Sequence, residues 1–169
     1  MYFRDAVSSD YEDICKLVPS ERELYLVYPG GRHPLTVDQV KQLSQERKEL
    51  TVTTDGLKIV GFANLYDFND KERAFIGNVV IENSFRGKGF GNKLIGHMLS
   101  VAFSKYELSE VHISVFSDNV PALLLYSKLG FRPYIIEERY NFENKRVALI
   151  HMKMERGNYE PETYIQEGC

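Results

Sequence analysis

Apolar residues in this chain recur at two spacings, and the switches between them predict the order of elements. Residues 2–6 suit a first strand. Ser8, Ser9 and Asp10 then form a polar cluster fit to cap a helix whose inward face is Ile14, Leu17 and Val18. Pro19 and Ser20 end that helix. A less regular stretch with Leu24, Leu26 and Val27 runs to a turn at Pro29, Gly30 and Gly31, and Thr36 caps a predicted helix over 37–48 that turns Val40 and Leu43 inward. Strands are predicted over 50–54 and 57–68, joined by the hairpin dipeptide Asp55-Gly56, and over 74–81 after Asn69 and Asp70.

From there the spacing becomes helical. Leu94, Ile95, Met98, Leu99 and Ala102 stack on one face, while Lys93, His97, Ser100 and Lys105 fall largely elsewhere. A strand over 111–116, a helix over 121–129 with Gly130 as its C-cap, and strands over 131–140 and 146–154 complete the pattern. An antiparallel meander followed by strands linked through helices predicts one α/β domain over residues 1–156, its mixed sheet flanked by helices and its ligand near the carboxyl ends of the central strands. Residues 157–169 are polar and predict a loose tail.

The segment with the most chemistry is Arg86-Gly87-Lys88-Gly89-Phe90-Gly91, because a buried-strand pattern ends just before it and an amphipathic helix starts just after it. The first N–H groups of a helix lack intrahelical partners and its N-terminus carries partial positive charge, so an anion is favoured there. The glycines let the backbone close on it, and Arg86 and Lys88 add charge at the rim. A glycine loop alone is equally a tight turn. The spacing excludes a Walker A loop, which requires a Gly-Lys-Ser/Thr end, and fits a dinucleotide fingerprint poorly because the third glycine falls one residue early.

Arg86, Gly89 and Gly91 instead match the R/Q-x-x-G-x-G/A signature of the GNAT family, the Gcn5-related N-acetyltransferases. Asn119, Ala122, Tyr126, Gly130 and Phe131 match that family's N-x-x-A-x-x-x-Y-x-x-x-G-F block, in the family's order. The chain resembles GNAT proteins over nearly its whole length. The resemblance implies a GNAT-like fold with a parallel strand pair at the cofactor site, acetyl-CoA as co-substrate, and direct transfer of the acetyl group to an amine without a covalent enzyme intermediate. It places Val79, Val80 and Ile81 along the pantetheine arm, with a β-bulge near Gly77 and Asn78. It also assigns Arg86, Gly87, Lys88, Gly89, Phe90, Gly91, Asn92, Asn119 and Tyr126 to cofactor binding.

Such a transfer needs an amine stripped of its proton, a stabilised oxyanion and a proton for the departing sulfur. An alkylamine of pKa ~10.4 is neutral in about one molecule in 2,500 at pH 7, a deficit of roughly 4.6 kcal/mol, so a base is valuable. Glu72 and His112, near the strand that precedes the loop, are the candidates. Each reads equally as a surface carboxylate or a satisfied strand histidine. Tyr126 is the expected general acid, since a phenol of pKa ~10 keeps its proton at neutral pH. Ser114 stands where the ribosomal-protein branch of the family carries a carboxylate, so that base is missing. Asn119 is also a natural N-cap for the helix opened by Pro121. Tyr25, Tyr28, Arg32, His33 and Tyr66 are polar or aromatic enough to line an acceptor pocket for a small-molecule or peptide amine.

Composition narrows the partners. A chain of 169 residues with 43% hydrophobic content has a core of ordinary size, and a net charge of −3 argues against a phosphate-backbone binder of nucleic acid. No apolar run approaches the ~18 residues of a membrane span, and no signal-peptide pattern opens the chain, so a cytoplasmic protein is expected. Cys15 and Cys169 make a poor disulfide framework and read as free thiols. No metal site is expected, and a homodimer through edge strands is. A non-catalytic acyl-CoA sensor is the competing function class, and a nucleotide-binding enzyme the third.

Overall fold

The computed structural model describes residues 1–161; Cys169 and the rest of the tail from 162 onward lie outside the described residues. Seven strands form one sheet: β1 (Tyr2–Asp5), β2 (Lys48–Asp55), β3 (Lys58–Asn69), β4 (Arg73–Ile81), β5 (Glu110–Phe116), β6 (Arg132–Tyr140) and β7 (Arg146–Glu155). Their spatial order is β1-β2-β3-β4-β5-β7-β6. β4 and β5 are parallel and every other neighbouring pair is antiparallel. The mixed α/β architecture is therefore as expected, with the parallel pair at its centre.

Among the described residues five α-helices cover the two faces: α1 (Tyr11–Lys16), α2 (Glu21–Val27), α3 (Val37–Glu46), α4 (Phe90–Ser100) and α5 (Val120–Lys128). One core cluster joins Leu94, Ile95, Met98 and Leu99 of α4 to Ile76, Ile113, Val115, Phe131 and Met152. The other joins Ile14, Leu24 and Val40 of the first three helices to Val52, Phe62 and Val80. Alternation along each strand produces this division, since successive side chains point to opposite faces.

Three local differences from the sequence expectation have physical reasons. The irregular stretch is the helix α2, capped by Ser20, whose hydroxyl accepts from Glu23 N–H at 3.2 Å. It buries only Leu24, so no stripe marks it in the sequence. The third helix stops at Glu46 because Arg47 turns extended (φ −123°, ψ 161°) to start β2. The chain does not leave the body at residue 157: Arg156–Asn158 make a 3-10 turn, and the Tyr159 ring packs 5.0 Å from that of Phe103.

Candidate active site

The site originates in the registry of the parallel pair. β4 and β5 are hydrogen-bonded from Arg73 opposite Glu110 to Ile76 opposite Ile113 and then part, although β4 runs on to Ile81 and β5 to Phe116. Just past the last pair, β4 carries an extra residue. Phe62 opposes Val80 and Asn64 opposes Gly77, which is a β-bulge, and Asn78 takes φ +50°. The split leaves backbone groups on both strands facing a cavity of about 820 Å³, lined on one side by Gly77 to Ile81 and on the other by Ile113 to Phe116.

The glycine turn sits at one end of this cavity. Gly87 and Gly89 have φ of +73° and +79°, a conformation that side chains disfavour, and no atom of the other described residues lies within 4 Å of where a Cβ would stand on either. Gly89 is the N-cap of α4 and accepts from Lys93 N–H at 3.1 Å. The first turn of α4 holds no acidic residue, so its positive end is not neutralised from within. Arg86 donates through Nε to Ile81 C=O at 2.8 Å and pairs with Glu23 of α2 at 3.0 Å. The Asn92 carbonyl oxygen is buried with no hydrogen-bond partner among the described residues.

Of the residues expected to bind cofactor, Val79, Val80, Ile81, Arg86, Gly87, Gly89, Gly91, Asn92, Asn119 and Tyr126 line the cavity. Lys88 and Phe90 do not: the Lys88 ammonium lies 5.5 Å over the Phe85 ring, and Phe90 packs edge-on against Phe85. Asn119 occupies the N-cap position of α5, yet its side chain makes no capping bond. Tyr126 is 5% exposed, and burial pushes its phenol well above the ordinary value.

Neither expected base reaches the cavity. Glu72 is exposed before the start of β4, bonded to the Asn69 side chain and about 20 Å along an extended strand from the bulge. His112 is buried on β5 where the parallel pair is still closed, and both ring nitrogens are taken, Nδ1 by Tyr134 Oη at 2.6 Å and Nε2 by Glu110 Oε1 at 2.9 Å. Its geometry is that of a satisfied strand histidine. Of the acceptor-pocket candidates, Tyr28 and Tyr66 line the cavity, whereas Arg32 and His33 lie in the loop before α3 and do not. Tyr25 stacks on Phe116 at 4.4 Å, and burial, followed by the charge of Asp118, pushes its phenol up to about 12.

Among the cavity residues that escaped the sequence are two basic side chains, His151 and Arg47. His151 on β7 stands opposite Ser114 on β5, and its Nδ1 is 2.8 Å from Ser114 Oγ. Its Nε2 lies 3.3 Å from Glu137 Oε1, without the alignment of a hydrogen bond. Arg47, between α3 and β2, lies over the Tyr66 ring at 4.5 Å. Only the β5–β7 pairing and the chain reversal at Arg47 bring these side chains to the split, and neither leaves a local mark.

Taken together, a parallel pair that opens at a bulge and a glycine-bent helix N-terminus at the end of the opening define a protein built to hold an extended ligand with an anionic tail. The sequence pattern of the Acetyltransferase (GNAT) family matches residues 14–131, and the chain belongs to that family. It is similar to the spermine/spermidine N(1)-acetyltransferase of Bacillus subtilis, at 27% identity over 46% of this chain and 51% of that protein. It is also similar to the L-amino acid N-acetyltransferase AaaT of Escherichia coli, at 23% identity over 83% and 88%. The chain spans about half the length of several curated relatives it matches. In fold it is similar to the spermidine N-acetyltransferase of Vibrio cholerae solved with CoA and spermine, with a TM-score of 0.78 at 19% identity over 98% of both chains.

Proposed function

We propose that this protein is an acetyl-CoA-dependent N-acetyltransferase acting on a primary amine of a small molecule or peptide in the cytoplasm. One observation carries the reading: the glycine cradle, the buried Tyr126 phenol and the Ser114–His151 pair all line one cavity. The residues fit acetyl-CoA. The opened edges of β4 and β5 offer backbone partners for an amide-bearing arm, Gly87 and Gly89 leave space beside the helix N-terminus for a pyrophosphate, and the orphaned Asn92 oxygen and uncapped Asn119 side chain await polar partners. When bound, acetyl-CoA supplies an acyl group on a good leaving thiolate.

The chain's own groups supply the proton handling. Tyr126 Oη holds a proton through neutral pH and donates it to the departing sulfur. His151 accepts the Ser114 Oγ proton at Nδ1, and Ser114 in turn accepts from the amine. The bulge at Asn78 turns backbone out of the ladder beside the reacting centre.

The test is release of CoA thiol from acetyl-CoA across polyamines, amino acids, aminoglycosides, arylamines and peptides, with the no-acceptor rate subtracted. One acceptor class should give release, and His151→Gln should lower kcat about 100-fold at pH 7, with the deficit shrinking as pH rises toward the amine's own pKa. Silence from every acceptor despite measurable CoA binding would favour the sensor.

A homodimer through β6 accompanies this reading. β6 is one of the two edges of the sheet, β1 being the other; among the described residues it pairs only with β7, and it exposes Ile135, Ile136 and Tyr140. Sedimentation velocity should show a dimer at micromolar concentration and a monomer for Ile136→Lys; a wild-type monomer at tens of micromolar would end the idea.

A further inference from the structure

Arg47 is a half-buried cation placed in the cavity without a counterion. No carboxylate lies within 4.0 Å of it among the described residues, and Glu46 acts on it only at longer range. Its guanidinium is held by the Tyr66 ring at 4.5 Å, the Tyr28 ring at 5.6 Å and a single hydrogen bond, from Nη1 to Asn64 Oδ1 at 3.1 Å. The remaining donors of the fork have no hydrogen bond among the described residues. Burial pulls its pKa down, yet a guanidinium starts so high that it stays charged.

Its position is fixed from below. Asn64 Nδ2 donates to Asn78 Oδ1 at 2.7 Å, and Asn78 Nδ2 donates to Val27 C=O at 2.9 Å, so a chain of side-chain amides ties Arg47 to the bulge and to the end of α2. Gly77 makes the approach possible, because a Cβ there would stand 2.6 Å from Arg47 Nη1 and 2.7 Å from the Tyr66 ring. The fork therefore lies over the bulge where the strands part, beside the Ser114–His151 pair rather than at the glycine turn.

We propose that Arg47 is the carboxylate-binding residue of the acceptor site, and that the acceptor is a free α-amino acid, whose carboxylate stands a few atoms from the reacting amine. This rests on the acetyltransferase reading and gives its substrate class. A planar fork with free parallel donors is matched by a carboxylate in two hydrogen bonds. A polycation is disfavoured in the same place, because the only carboxylate lining the described cavity is Glu23, and Glu23 is already paired with Arg86. Leaving a desolvated guanidinium unpaired while a second cation approaches costs affinity twice.

The test compares kcat/KM for a panel of free α-amino acids with their carboxamides and decarboxylated amines and with spermidine. It uses wild-type protein, Arg47→Gln and Arg47→Lys. Binding is measured separately, as the thermal shift given by the N-acetyl amino acid or the matching N-acetyl amine in the presence of CoA. Wild type should favour the carboxylate over the carboxamide by about 10- to 100-fold. Arg47→Gln should erase that preference, lowering kcat/KM for the amino acid far more than for its carboxamide, and Arg47→Lys should keep part of it. Turnover of spermidine, or of carboxamides as fast as of amino acids, would overturn this inference and leave the acetyltransferase reading intact. Carboxylate-selective, Arg47-dependent binding without turnover of any acceptor would overturn the acetyltransferase reading and keep the binding assignment. No selectivity in either measurement overturns the inference.

Discussion

Tyr126→Phe should bind CoA with wild-type affinity, fold normally and lose about 100- to 1,000-fold in kcat. The substitution removes one oxygen from a ring that is 5% exposed and packed in the core cluster formed with α4, so the hydrophobic contacts stay. That hydroxyl has no hydrogen bond to the described residues, so removing it leaves no protein partner stranded, and the stability cost is small. Its chemistry is another matter. Burial favours the neutral phenol, so the proton stays on Oη well into alkaline pH, and the alkaline limb of a pH profile should not come from Tyr126. Calorimetric CoA titration together with thiol-release kinetics separates binding from catalysis. Turnover by the Phe variant within threefold of wild type would remove Tyr126 from the role of acid.

Phe131→Ala should cost about 3–5 kcal/mol of stability. For a chain of this size that lowers Tm by roughly 6–20 °C. Phe131 is 1% exposed and is enclosed by the same cluster, its ring 6.1 Å from that of Tyr126. Its N–H donates to Tyr126 C=O at 3.0 Å across the C-terminus of α5, where Gly130 takes φ +96°. A truncated ring would leave a cavity beside the Tyr126 ring, so on the proposed role of Tyr126 the variant should lose activity even at temperatures where it remains folded. Urea unfolding gives the stability, and a loss under 1 kcal/mol would contradict the packing.

The two recognisable blocks differ in what they specify. In Asn119 to Phe131, Tyr126 meets the cavity while Phe131 serves the core, and the sequence alone weighs them alike. In Arg86 to Gly91 the strand, glycine turn and helix were all legible, because each depends on neighbours a few residues away. Lys88 and Phe90 share that segment but point elsewhere, onto Phe85. Glu72 and His112 stand off the cavity for a related reason: a residue's type is visible in the sequence, but its distance from the point where two strands part is not. β4 and β5 separate only after Ile76 and Ile113, so a histidine one position earlier on β5 stays inside the closed ladder.

The sequence by itself determined the local events: the β2–β3 hairpin, whose turn falls one residue later than expected, on Gly56 and Leu57, the inward stripe of α4, the glycine turn at its N-terminus, the Thr36 cap of α3 and the glycine that ends α5. These rest on dihedral preferences, caps and periodicities that act within a few residues. Only the tertiary structure decided that β7 enters between β5 and β6, which sets His151 against Ser114 from 37 residues away, and that Arg47 folds over Gly77 at the bulge. Strand order and register follow from which faces can be buried together across the whole sheet, and a contact between distant residues leaves no periodicity in either partner.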